Sequence, residues 1–126
     1  RPGDYYRMYE INPTVVAMAR EFFTYLTEAE GELETVIADG RIALEREEPQ
    51  HFDVLVLDAF SGDAIPTHLL TKECGDLYMK HLNEDGILAV HITNRHVDLQ
   101  AAKECRRLVA SKPSLWLSIR SAPVFG

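Results

Sequence analysis

The sequence predicts an α/β fold, a mostly parallel sheet with helices on both faces. Three observations carry that prediction. Short apolar runs of strand length recur along the 126 residues, at 5–10, 33–38, 52–57, 86–93 and 115–119. Segments with helical spacing alternate with them, and strands alternating with helices imply right-handed crossovers and parallel pairing. Three of the runs are closed by a carboxylate, at Glu10, Asp39 and Asp58. In open α/β sheets, ligands bind just past the carboxyl ends of the strands.

The elements follow in order. Residues 5–10, YYRMYE, are short and aromatic, as strands are. Asn12-Pro13-Thr14 then reads as a helix start, since Asn or Thr caps and Pro is tolerated in the first turn. Val15, Val16, Ala19, Phe22, Phe23 and Leu26 recur at helical spacing, which predicts a helix to about Leu26. Gly31 breaks the pattern. Residues 33–38 alternate and are rich in β-branched side chains, giving a second strand. After the Asp39-Gly40 turn, residues 41–47 form a short helix that Pro49 ends.

Residues 52–57, FDVLVL, form an apolar run bounded by turn signals, the pattern of a strand buried on both faces. Residues 58–66 are a loop. Residues 67–82 are helical, with Leu69, Leu70, Leu77, Tyr78 and Leu82 sharing a face and Thr71 marking a cap inside the segment. Asn83-Glu84-Asp85-Gly86 is a turn before an apolar strand at 86–93. Asp98 caps a helix to about Ser111, with Leu99, Ala102, Cys105, Leu108 and Val109 inward. Pro113 stops it before the last strand.

Composition narrows the function. The length sets one domain at most. A net charge of -7 argues against nucleic acid, which needs a basic face. It suits a cationic substrate, although plain solubility explains it as well. No apolar run approaches the ~20 residues of a membrane span. Cys74 and Cys105 lack metal-type spacing and read as reduced structural thiols, which points to a cytoplasmic setting. The first residue is not Met, and the chain reads as a piece of a longer protein. No zinc pattern, Walker loop or Ser-His-Asp order is present, so no metal is expected.

The carboxylates carry the chemistry. Glu10, at a strand end, can accept hydrogen bonds from both hydroxyls of a ribose; the plainer alternative is a solvated acid or a cap for the helix at Asn12. Asp39 can accept from an exocyclic amine such as that of adenine, or simply make an Asp-Gly turn. Asp58 closes the apolar run 52–57, above the sheet. There a partly desolvated carboxylate can hold an ammonium or take its proton before nitrogen attacks carbon. Asp63, five residues on, either folds over the same cleft or serves the turn. His91 reads as a hydrogen-bonded core residue sooner than a catalyst. Asn94, Arg95 and His96 follow at the same strand end. His51, His68 and His81 receive no role.

Three runs together resemble a family. Tyr9-Glu10-Ile11-Asn12-Pro13, Ala38-Asp39-Gly40-Arg41 and Phe52-Asp53-Val54-Leu55-Val56-Leu57-Asp58, in this order and spacing, look like the spermidine synthase (polyamine aminopropyltransferase) family. The runs 58–71 and 90–96 look more like its spermidine synthase-like branch, in which such a domain is often joined to a membrane region. The resemblance implies a Rossmann-like, class I methyltransferase-type fold over residues 1–126. It implies aminopropyl transfer from decarboxylated S-adenosylmethionine to a diamine such as putrescine. Glu10 would bind the donor's ribose, Asp39 its adenine, and Asp58, with Asp63, the amine.

Two departures stand against it. Ser61 occupies the place of the second aspartate of the family's D-x-x-D pattern. The Gly-rich loop that meets the donor, and its strand, have no counterpart before residue 10. The sheet's first strand is therefore expected to be missing, the piece inactive alone, and the strands at 5–10 and 52–57 to close up directly or two copies to associate. S-adenosylmethionine-dependent methyl transfer and a non-catalytic polyamine- or nucleoside-binding domain remain the alternatives.

Overall fold

The structure is a computed structural model that describes residues 1–58 and 66–90. Their order is β1 (Tyr5–Glu10), α1 (Pro13–Phe22), α2 (Tyr25–Glu28), β2 (Glu32–Ile37), α3 (Gly40–Arg46) and β3 (Phe52–Leu57). A 3₁₀ turn (Thr67–Leu69), α4 (Lys72–His81) and β4 (Leu82–Val90) complete it. The helix expected from Asp98, the strand at 115–119, and Asp63, His91, Asn94, Arg95 and His96 lie outside the described residues. The chain divides into two compact units, Arg1–Arg46 and a second from Glu47 onward.

In the first unit β1 and β2 pair in parallel, with Tyr5 opposite Glu32 and Glu10 opposite Ile37. Gly31 enters β2 so close to Asp4 that a Cβ there would collide with the Asp4 carbonyl oxygen. Asn12 caps α1: its side chain accepts the Thr14 N–H at 2.9 Å, with Pro13 in the first turn. The helix stops earlier than its apolar spacing predicts. Phe23 turns extended and closes α1 through its N–H to the Ala19 carbonyl, at 3.1 Å. Thr24 then starts the separate four-residue α2, and its hydroxyl meets Glu28 at 3.0 Å. Aromatic and β-branched residues in succession are poor helix formers, so the weak link falls there. Asp39 begins α3, which the Arg41–Glu45 pair at 2.9 Å supports one turn along. The buried apolar residues of this unit are Val16, Ala43 and Leu44.

In the second unit β3 and β4 pair in parallel, Leu57 opposite Val90. Leu55, Leu57, Leu88 and Val90 are buried on one face of this pair, and Leu69, Cys74, Tyr78 and Leu82 are buried with them in the same unit. Full burial of one such side chain contributes roughly 1.5–3 kcal/mol. Cys74 is fully buried. Thr71 caps α4 by accepting the Cys74 N–H at 3.3 Å, so the segment read as one helix over 67–82 is a 3₁₀ turn followed by a capped helix. The expected turn at 83–86 is absorbed into β4. The register shifts there: Phe52 meets Leu82, and Val54 next meets Ile87.

Two expectations change. The strands at 5–10 and 52–57 are expected from the sequence to close up directly or two copies to associate; among the described residues β1 takes β2 as its partner and β3 takes β4. Also, β3 is not buried on both faces. Val54 and Val56 are 52% and 60% exposed, because the strand packs only its Leu55–Leu57 side. An unbroken apolar run hides that alternation, since Val and Leu look alike in a hydrophobic pattern. Among the described residues, no helix is long and apolar enough to cross a membrane.

Candidate functional site

Glu10 and Asp39 come together at one edge. Glu10 is the last residue of β1 and lies opposite Ile37, the last of β2. The Ala38 N–H then donates to the Glu10 main-chain oxygen at 3.1 Å, and Asp39 follows directly. Parallel pairing therefore sets both carboxylates at the carboxyl end of one sheet, the end at which α/β proteins bind ligands.

Each carboxylate also has a local duty. Glu10 Oε1 accepts the Asn12 N–H at 2.8 Å, which closes the turn into α1. Asp39 Oδ1 accepts the Ile42 N–H at 3.0 Å and caps α3. The helix-cap alternative for Glu10 is thus partly realised, two residues before the true N-cap, Asn12. The Asp-Gly alternative for Asp39 takes the form of a helix start, which places the acid at a positive helix end.

Asp58 belongs to the second unit. It is the residue after β3, at the carboxyl end of the β3–β4 pair, and it is exposed. Its environment is therefore wetter than the half-buried position the apolar run suggests. Among the described residues no group of three His, Cys, Asp or Glu side chains is placed to hold a metal ion.

Sequence reasoning passed over two features of the first unit. One is a ladder on the Tyr5–Arg7–Tyr9 face of β1. Arg7 Nε donates to the Tyr9 hydroxyl at 2.9 Å and Nη1 to the Tyr5 hydroxyl at 3.2 Å. The guanidinium lies 5.5 Å from the Tyr9 ring centre and pairs with Glu34 of β2, which also accepts from the Tyr5 hydroxyl. This bond holds the Tyr5 phenol above its ordinary value of 10.0. The period-2 spacing of Tyr5, Arg7 and Tyr9 was the available signal.

The second is a cleft on the other face, lined by Met8, Glu10 and Thr35 from the sheet and by Val16, Ala19 and Leu26 from the helices. His81, given no role in sequence, is fully buried at the end of α4.

The chain is similar to a polyamine aminopropyltransferase of Vibrio vulnificus (strain CMCP6), 29% identical over 92 residues. The match takes in 71% of this chain and 30% of that protein, so it spans less than a third of the relative's length. No family model matches the chain, and no solved structure does.

Proposed function

We propose that the chain is the nucleoside- and amine-binding part of a spermidine synthase-like transferase, moving an aminopropyl group from decarboxylated S-adenosylmethionine to a diamine such as putrescine. The observation that carries this reading is the shared strand edge of Glu10 and Asp39. The likeness to a polyamine aminopropyltransferase supports it at the level of the reaction class. Each parallel pair is then a portion of a Rossmann-like, methyltransferase-type sheet.

In this reading Glu10 accepts from the donor's ribose hydroxyls and Asp39 from its adenine amino group. Two acids on adjacent strand ends suit a ligand that offers hydroxyl and amine donors and no anion at that edge. Asp58, with Asp63, holds the diamine as a cation. When bound, the donor supplies a carbon made electrophilic by its sulfonium. Asp58 takes the proton that the neutral amine nitrogen loses as its new bond to that carbon forms and the carbon–sulfur bond breaks, the sulfur leaving with the bonding pair as neutral methylthioadenosine. The contribution of these side chains is positioning and proton transfer.

Calorimetric titration of methylthioadenosine, S-adenosylmethionine and its decarboxylated form, with and without putrescine, tests the reading. Preference for the decarboxylated donor is expected. Glu10→Gln should weaken every nucleoside, and Asp58→Asn only the diamine step. Preference for S-adenosylmethionine with no diamine effect would replace aminopropyl transfer by methyl transfer. No nucleoside binding at all would sink both.

A further inference from the structure

Helix α1 buries Val16 and leaves a second apolar line in the water. Val15, Met18 and Phe22 follow one another at steps of 3 and 4. At about 100° per residue they share one side of the helix, within about 60°. Ile11, just before the Asn12 cap, adds another step of 4. These four side chains are between 46% and 66% exposed. Exposed hydrophobics scattered singly are ordinary, but a continuous line of large ones marks a contact surface. The transferase reading gives none of them a role.

The spacing says what covers the line. The steps 4-3-4 read the same in both directions. A two-fold dimer needs such a surface, because residue i meets j and j meets i. We propose that α1 docks antiparallel on α1 of a second copy of this chain, with the two-fold axis between Val15 and Met18. Ile11 then meets the second copy's Phe22, and Val15 meets the second copy's Met18.

Charge favours this direction. Arg20 and Glu21 stand in the last turn of α1, and Glu10 precedes its start. Antiparallel docking brings Arg20 toward the second copy's Glu10, and Glu21 toward the positive end of the second copy's helix. Parallel docking would set Arg20 beside Arg20. Area sets the strength. Covering four half-exposed large side chains in each copy removes roughly 900 Å2 in all, below the about 1,200 Å2 at which stable interfaces begin. The dimer is therefore weak and exchanges with the monomer. It stands independently of the transferase reading.

The test is sedimentation equilibrium of the full chain up to about 1 mM. The mean mass should climb with concentration toward that of two copies and stop there. Met18→Glu sets two like charges near the axis and should weaken association at least about thirtyfold. Val56→Glu, at an exposed position of β3, should leave it unchanged. Both changes fall on exposed side chains, so thermal melts should match the parent. Oxidative cross-linking with peptide mapping reads the direction. Mixed Ile11→Cys and Phe22→Cys chains should form the 11–22 disulfide. Neither variant alone should link to itself, since like positions lie about 16 Å apart along the helix pair, beyond disulfide reach. A monomer throughout overturns the proposal and leaves the line to a different partner. Association that Met18→Glu leaves intact, or links of 11 to 11, overturns it as well.

Discussion

The N–H of Ala38 donates to the main-chain oxygen of Glu10 at 3.1 Å. This bond extends the β1–β2 ladder one step past β2 and fixes where Asp39 starts. An acid at the end of one strand and an acid opening the next helix are thereby set by backbone pairing, ahead of any side-chain packing.

Removing the Asp39 carboxylate should cost stability before it costs function. Asp39→Ala loses the cap on the Ile42 N–H, worth about 1 kcal/mol. Asp39→Asn keeps a capping oxygen and should stay within a few tenths of a kcal/mol of the parent. Urea unfolding of the two variants checks this; equal loss in both would show that charge, not the cap, matters there.

Tyr78 should be sensitive to the loss of one oxygen. Its buried hydroxyl donates to the Leu69 carbonyl at 3.0 Å and ties α4 to the 3₁₀ turn before it. Tyr78→Phe should destabilise by about 1–2 kcal/mol. Leu88→Ala, in the same core, should cost about 2–5 kcal/mol. Thermal melts that rank the two in the opposite order would contradict this packing.

His51 precedes β3 with φ of 56°, in the left-handed region that a side chain disfavours. His51→Gly should raise stability by up to about 1 kcal/mol. Unchanged or lower stability in denaturant titration would mean that the imidazole makes good the strain.

Tyr5 should titrate above an ordinary tyrosine. Its first cause is the hydrogen bond to Glu34, which favours the neutral phenol. A folded pKa raised above the unfolded one gives stability that is complete below pH 10.0 and is lost as pH rises through the folded value. Spectrophotometric titration should show late tyrosinates at Tyr5 and Tyr6, of which Glu34→Gln moves only the Tyr5 one down. A titration indifferent to Glu34→Gln would remove the bond as the cause.

Local signals in the sequence were sound where chemistry is local. Asn12 and Thr71 cap as their residue types suggest, because a side-chain oxygen two or three positions from an orphan N–H needs no tertiary partner. The run 52–57 forms a strand with those bounds. Sheet membership was not legible: which strand lies beside Tyr5–Glu10 depends on contacts far along the chain, and apolar runs carry no address. The same holds for the site. Glu10 and Asp39 stood out as acids closing apolar runs, but the cleft beside Glu10 depends on Tyr25 and Leu26 swinging back in a second helix, and that needed the break at Phe23.

The register shift in β4 has a consequence for how this chain tolerates changes in length. Between Phe52 and Val54 of β3 one residue intervenes, but between their partners Leu82 and Ile87 there are four. The slack is fastened at both ends, by Asn83 Nδ2 donating to Asp53 at 2.8 Å and by Gly86 lying where a Cβ would come within 2.9 Å of the Phe52 carbonyl oxygen. An extra residue at Glu84–Asp85 would lengthen the bulge and leave Leu88 and Val90 facing inward. The same insertion one step after Ile87 would reverse the alternation and turn both into the water. Insertions and deletions in related chains should therefore gather at 84–85 and be absent from 87–90.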